Sequence, residues 1–234
     1  MSVHVITGAG SGIGAVLAQR LHERGDDLLL VARSRTRAEE LAATHPGART
    51  LVADLGDPVG LERALEAADL PDRVDSLLHV AGVVDLEPVA ELDLGHWQRQ
   101  LDVNLTAPAL LTRALLPALR AAGGTVVFVN SGAGLSANPT WSAYAASKFG
   151  LRALADALRG EEQERGVRVT TVYPGRTATP MQEKVHAQEC KEYDAAAWSD
   201  PATVAATILH VVDLPADSTI SDVTVRPAPR AGRS

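Results

Sequence analysis

Thr7-Gly8-Ala9-Gly10-Ser11-Gly12-Ile13-Gly14 closes the first apolar run of the chain and opens its first helical pattern. A backbone that must turn sharply, and come close to a ligand with no Cβ in the way, needs glycine. The helix that follows offers free N–H groups and a partial positive end to an anion. Gly8, Gly12 and Gly14 suit these tasks, and Ser11 and Ile13 belong to the same turn. Between a strand and a helix, the pattern points to a dinucleotide pyrophosphate, the alternative being a tight turn with no ligand.

Working outward from this turn, short apolar runs alternate with helical patterns. Strands are expected at 3–7, 28–32, 49–52, 76–81, 125–131, 167–173 and 223–226. Helices are expected at 12–24, 35–44, 58–68, 96–121, 140–164 and 201–213. The strands are apolar on both faces, as parallel strands covered on two sides are. The alternation predicts an α/β doubly wound parallel sheet, a three-layered Rossmann fold, in a single domain over 1–226. Residues 176–200 stand outside it and are expected to form a substrate lid, and 227–234 a loose tail.

Composition narrows the partners. Of 234 residues, 46% are hydrophobic and 22% charged, ordinary for a soluble globular chain. A net charge of -7 argues against nucleic acid, which demands concentrated Lys and Arg. Cys190 is the only cysteine, so no internal disulfide forms, which suits a reducing compartment. Strand-like sequence begins by Val3, which leaves no room for a signal peptide, and the apolar stretch 105–122 is broken by Arg113, Pro117 and Arg120. A cytoplasmic protein without a membrane span is expected.

The second strand bears on the cofactor. Dinucleotide sites place a carboxylate about 20 residues past the glycines, on the ribose hydroxyls. Here Leu30-Val31-Ala32-Arg33-Ser34-Arg35 carries arginines instead, while Asp26 and Asp27 precede the strand at its far end. A guanidinium grips a 2′-phosphate with forked hydrogen bonds. NADP(H) is therefore expected over NAD(H), with Arg33 and Ser34 at the phosphate, unless these residues only begin a solvated helix. Asp54, followed by Leu55, is read as an adenine contact, with a helix N-cap as the alternative.

Ser131 is followed thirteen positions later by Tyr144, and Lys148 lies four beyond the tyrosine in Tyr144-Ala145-Ala146-Ser147-Lys148. On a helix that spacing puts phenol and ammonium on one face. A hydroxyl acid beside a lysine, with a phosphate-cradling turn upstream, is what hydride transfer to a carbonyl needs. Together with Pro174-Gly175 after the sixth strand, these residues resemble the short-chain dehydrogenase/reductase family, in its single-domain branch, from Thr7 to about Arg226.

The resemblance implies roles. Tyr144 would be the acid in carbonyl reduction and the base in the reverse direction, its phenol, ordinarily near pKa 10, made more acidic by Lys148. Lys148 would also hold the nicotinamide ribose, and Ser131 would orient the substrate oxygen. Asn104 would support a water leading to Lys148, unless it only bonds its own backbone. His79-Val80-Ala81-Gly82 stands where the family has Asn-Asn-Ala-Gly. Ala81 and Gly82 would admit the adenosine ribose, and His79 reads as structural. In Pro174-Gly175-Arg176-Thr177-Ala178-Thr179, the Thr177 backbone and the Thr179 hydroxyl would fix the nicotinamide carboxamide.

Val83, Val84, Trp141, Met181, Tyr193 and Trp198 are read as pocket or lid residues, which suggests a largely apolar carbonyl or alcohol substrate. His186 and Cys190 sit at i, i+4 but lack a convincing third ligand, so no metal is expected. Gly150, Leu151, Leu154 and Leu158 suggest an exposed apolar helix face, and the resemblance implies a homodimer or homotetramer. A non-catalytic NADP(H)-binding regulator, or an isomerase or dehydratase using the same Tyr and Lys, are the competing readings.

Overall fold

The structure, a computed structural model, describes residues 1–228. The tail expected over 227–234 lies, from residue 229 on, outside the described residues. In chain order the elements are β1 (Val3–Thr7), α1 (Gly12–Glu23), β2 (Asp27–Ala32), α2 (Arg35–Thr44), β3 (Arg49–Val52) and α3 (Pro58–Ala67). There follow β4 (Ser76–His79), α4 (Leu94–Leu101), α5 (Ala107–Ala122), β5 (Thr125–Val129) and α6 (Ser142–Glu162). The chain closes with β6 (Arg168–Pro174), α7 (Pro180–Gln188), α8 (Pro201–Val212) and β7 (Asp222–Val225).

The strands form one parallel sheet in the order β3-β2-β1-β4-β5-β6-β7. The chain runs outward from β1 to β3, then crosses back to β4 on the other side of β1. Ligands of open α/β sheets bind at such a reversal, outside the carboxyl ends of the strands. That point is where the glycine turn emerges. Two apolar layers cover the sheet. One side packs Leu61, Leu111, Leu115, Leu119 and Leu151 against Leu77 and Phe128; the other packs Leu17, Leu21, Val204 and Ile208 against Ile6, Leu30 and Val172. Among the described residues, no helix is long and apolar enough to cross a membrane.

Several boundaries shift by a residue or two, and three departures from the expectation bear on the site. β4 ends at His79 and β5 at Val129, each two residues early, which frees Ala81 and Ser131 to leave the sheet toward the cleft. The helix expected over 96–121 is interrupted by a π turn, Asp102–Thr106, between α4 and α5. Such turns insert a residue and commonly mark functional positions. The expected lid contains α7, and a bridge between Thr177 and Ser199 closes its base. A further correction concerns α6. Leu151 and Leu158 are 1% and 5% exposed and pack into the core, because they fall on the stripe facing the sheet. The exposed stripe carries Ala146, Phe149 and Ala153 instead.

Candidate active site

The glycine turn is assembled by steric necessity. A Cβ on Gly8, where φ is +76°, would stand 2.8 Å from the Ala81 nitrogen. One on Gly14 would stand 2.2 Å from the Gly8 carbonyl oxygen. These two glycines therefore serve the packing of turn on helix and on the segment that follows β4, and leave the rim of the turn to a ligand. Ser11 begins α1 without any side-chain cap. By contrast α2, α3, α4, α7 and α8 each have a side-chain oxygen accepting from a first-turn N–H. The first N–H groups of α1 are thus free to receive an anion.

Arg33 and Ser34 stand where the sequence puts them, beyond the end of β2. Ser34 also caps α2, accepting from Arg37 N at 3.3 Å. Arg37, one turn into α2, was not singled out in the sequence. Its Nη2 donates to the Gly10 carbonyl at 3.3 Å, so it bridges α2 to the glycine turn. Its only sequence signal is a position four residues past Arg33. Asp54 is not a helix N-cap: it accepts from Gly56 N at 2.9 Å, and Asp57 caps α3. Asp54 and Leu55 line the same cavity as Arg33 and Arg37.

The segment that lacks the two family asparagines is pinned by other groups. Thr7 Oγ1 accepts from Val80 N at 3.0 Å and from Ala81 N at 3.1 Å. Asn104, placed by the π turn, accepts from Val83 N at 2.9 Å and donates to Val83 O at 2.9 Å and to Ser147 Oγ at 3.0 Å. Its side chain holds a distant segment rather than its own backbone. His79 is structural, as expected: its Nε2 meets Thr112 Oγ1 at 2.9 Å and its ring stacks on Phe128. Burial, reinforced by the Lys148 charge, pushes its pKa down to about 3, so it is neutral.

Tyr144 and Lys148 are buried on one face of α6. Lys148 Nζ donates to Val129 O at 3.0 Å and lies 5.7 Å from the centre of the Tyr144 ring. Burial lowers the Lys148 pKa to about 8. Burial also raises that of Tyr144, with the Ser131 hydroxyl opposing. In the protein alone, loss of solvent is the larger influence on the phenol. Ser131 leaves β5 through Asn130, a residue the sequence reading passed over. Asn130 accepts from Ser131 N at 2.8 Å and donates to Lys148 O at 3.0 Å, locking the serine to α6. A polar residue ending an apolar strand just before the serine was the available signal.

The glycine turn, Arg33, Arg37, Asp54, Asn130, Ser131, Tyr144 and Lys148 line one cavity of about 760 Å³, in the range of sites that enclose a cofactor, whereas Ser34 caps α2 outside its lining. At one end are Ser11, Gly12, Ile13 and Arg33; at the other Ser131, Tyr144 and Lys148, with Ala81, Gly82 and Gly175 between. Asn104 lies behind this wall, its Oδ1 3.3 Å from where a Gly82 Cβ would sit. Pro174, Thr177 and Thr179 complete the lining. The Thr179 hydroxyl, expected at the carboxamide, caps α7 through Gln182 N at 3.3 Å and donates to Thr177 O at 3.2 Å. Val83, Val84, Trp141 and Met181 face the cavity, whereas Tyr193 and Trp198 pack on His186. His186 is itself bonded to Gln182, with ring nitrogen and amide 2.9 Å apart.

Residues 2–190 match the short chain dehydrogenase family. An uncharacterised oxidoreductase of Staphylococcus epidermidis is 28% identical over 228 residues, 96% of each chain. Another, from Listeria monocytogenes, is 30% identical over 240 residues with the same coverage. Among solved structures, a putative NAD(P) dependent gluconate 5-dehydrogenase from Beutenbergia cavernae with bound NADP is 30% identical, with a TM-score of 0.81 over 95% of this chain and 94% of that one. A short-chain dehydrogenase from Sphingobium yanoikuyae in complex with NADPH is 27% identical, with a TM-score of 0.78 over 95% and 87%. On a match across most of its length, the chain belongs to the short-chain dehydrogenase family.

Proposed function

We propose that this oxidoreductase interconverts a carbonyl and a secondary alcohol with NADP(H), using Tyr144 as acid and base. The observation that carries the reading is one cavity lined both by the uncapped start of α1 and by Tyr144, Lys148 and Ser131. Arg33 and Arg37 beside the glycine turn support NADP(H) over NAD(H), as do relatives whose structures hold NADP or NADPH. Arg33, Arg37 and Ser34 would hold the 2′-phosphate, the α1 start the pyrophosphate, and Asp54 and Leu55 the adenine.

When bound, NADPH supplies the hydride that reduces the carbonyl carbon. Tyr144 keeps its proton at neutral pH, because burial raises its pKa, and delivers it to the developing alkoxide oxygen. Ser131 donates to the same oxygen and fixes its position. Lys148 spends one N–H on Val129 O and keeps two for the ribose hydroxyls. As the phenol loses its proton, the ammonium stabilises the phenolate that forms. Asn104 and Asn130 hold the backbone on either side, so the acid and its serine partner stay aligned.

A small carbonyl or alcohol is the partner of this site. The chain is further proposed to pair with itself through the exposed stripe of α6, where Phe149 is 42% exposed. A panel of ketones, aldehydes and secondary alcohols, followed by NADPH absorbance, tests the function. Tight NADPH binding with no turnover of any panel member would favour the non-catalytic regulator instead.

A further inference from the structure

Beyond the reacting groups, the cavity changes character. Near Tyr144 its walls are apolar, with Val84, Trp141, Met181 and Val185. Arg176 and Trp141 also line a second cavity of about 580 Å³, walled by Asn138, Gln188, Glu189 and Lys191. The route away from Tyr144 thus passes an aromatic wall and ends among polar and cationic groups.

Arg176 is held in place there. Its Nη2 donates to both carboxylate oxygens of Glu189, at 2.8 and 2.9 Å, and its guanidinium lies 5.3 Å from the Trp198 ring. Nη1 faces His186 Nε2 at 3.4 Å. Glu189 also accepts from Lys191 Nζ at 3.1 Å. Two cations share one carboxylate, so the cluster carries one net positive charge (two minus one). Among the described residues, the Nε–H and the second Nη1–H of Arg176 meet no protein acceptor. A guanidinium fixed by a carboxylate and an aromatic face, with a donor to spare on each of two edges, is preorganised to give a single charge-assisted hydrogen bond to a second anion.

We propose, resting on the reductase reading above, that Arg176, backed by Lys191, binds a carboxylate at the far end of the substrate. The substrate class is then a carbonyl compound with an apolar middle and a terminal carboxylate. One net charge matches a carboxylate rather than a dianionic phosphate, and Lys191, by sharing Glu189, leaves the cluster with that charge while Arg176 stays in place.

The test compares para-acetylbenzoate with para-acetylbenzamide, its neutral counterpart of the same shape. Each is titrated by calorimetry into enzyme loaded with NADP+, where no reduction takes place. The carboxylate is expected to bind about tenfold tighter, a gap typical of a charge-assisted pair. The gap closes in Arg176→Gln and narrows in Lys191→Gln. Because Arg176→Gln leaves Glu189 with Lys191 alone, the double variant Arg176→Gln/Glu189→Gln is measured beside it and must lose the gap as well. Equal affinity for the two compounds, or a gap that survives either Arg176 variant, overturns the proposal. Equal affinity with turnover of both compounds leaves the reductase reading intact. A carboxylate preference with no turnover anywhere in the carbonyl panel leaves the anion site standing and removes the reductase reading.

Discussion

Lys148 Nζ is anchored to the Val129 carbonyl at 3.0 Å while standing 5.7 Å from the centre of the Tyr144 ring. The ammonium is therefore held by the sheet, not by the phenol. Its field reaches the ring without a direct bond, and it is free to act on whatever charge the phenol develops. In the protein alone both groups lean toward neutrality, the lysine with a pKa of about 8 and the tyrosine raised above its ordinary value.

Removing the phenolic hydroxyl removes the proton. Tyr144→Phe is expected to lower kcat/KM by about a thousandfold, within the range of general acid catalysis. NADPH affinity, read by fluorescence titration, stays within about tenfold, since the hydroxyl gives the cofactor at most one hydrogen bond. Wild-type turnover in this variant would rule out Tyr144 as the acid.

Lys148 imposes a pH dependence on stability. Its folded pKa, about 8, lies below the 10.5 of an exposed lysine, so between these values the unfolded chain binds more protons. Stability then rises with pH across that window, and below it the fold carries the full cost of a buried ammonium. Lys148→Met should be more stable than wild type at pH 7 by about 3 kcal/mol, and the advantage should shrink toward pH 10. Urea unfolding of both proteins at several pH values measures it; a pH-independent difference contradicts the assignment.

Two arginines share the 2′-phosphate. The ratio of kcat/KM for NADPH over NADH is expected to fall about tenfold in Arg33→Ala and about a hundredfold when Arg37→Ala is added, each lost charge-assisted contact contributing a similar factor. An NADH preference in the wild type would refute the cofactor assignment.

Asn104 satisfies both backbone groups of Val83, and Ser147 as well. Asn104→Leu leaves the half-buried N–H and C=O of Val83 without these partners, while Ser147 Oγ keeps its bond to Tyr144 O, at a cost of about 1–3 kcal/mol. Chemical denaturation should show this loss, and kcat should fall with it because the wall facing Tyr144 loosens. An unchanged unfolding midpoint would show that Val83 finds other partners.

Phe149 is the large apolar side chain on the open face of α6. Phe149→Glu is expected to shift light-scattering mass from dimer or tetramer to monomer, since a carboxylate is costly to bury in an apolar interface. A wild type that is already monomeric at micromolar concentration removes the oligomer proposal.

What the sequence alone determined is what repeats locally. Strands buried on both faces must be apolar throughout, so runs such as Val126-Val127-Phe128-Val129 declare the sheet. The helical period places Lys148 beside Tyr144 before any tertiary contact is known, and the glycines after β1 locate the switch point. The π turn at Asp102–Thr106, the reach of Asn104 to Val83 over 21 residues, and the bridge from Arg37 to Gly10 were decided only by the folded chain. So were the opposing pKa directions of Lys148 and Tyr144 and the pairing of Arg176 with Glu189. The reason is physical: a helix or strand is set by neighbours a few residues away, whereas desolvation and side-chain pairing depend on groups that only packing brings together.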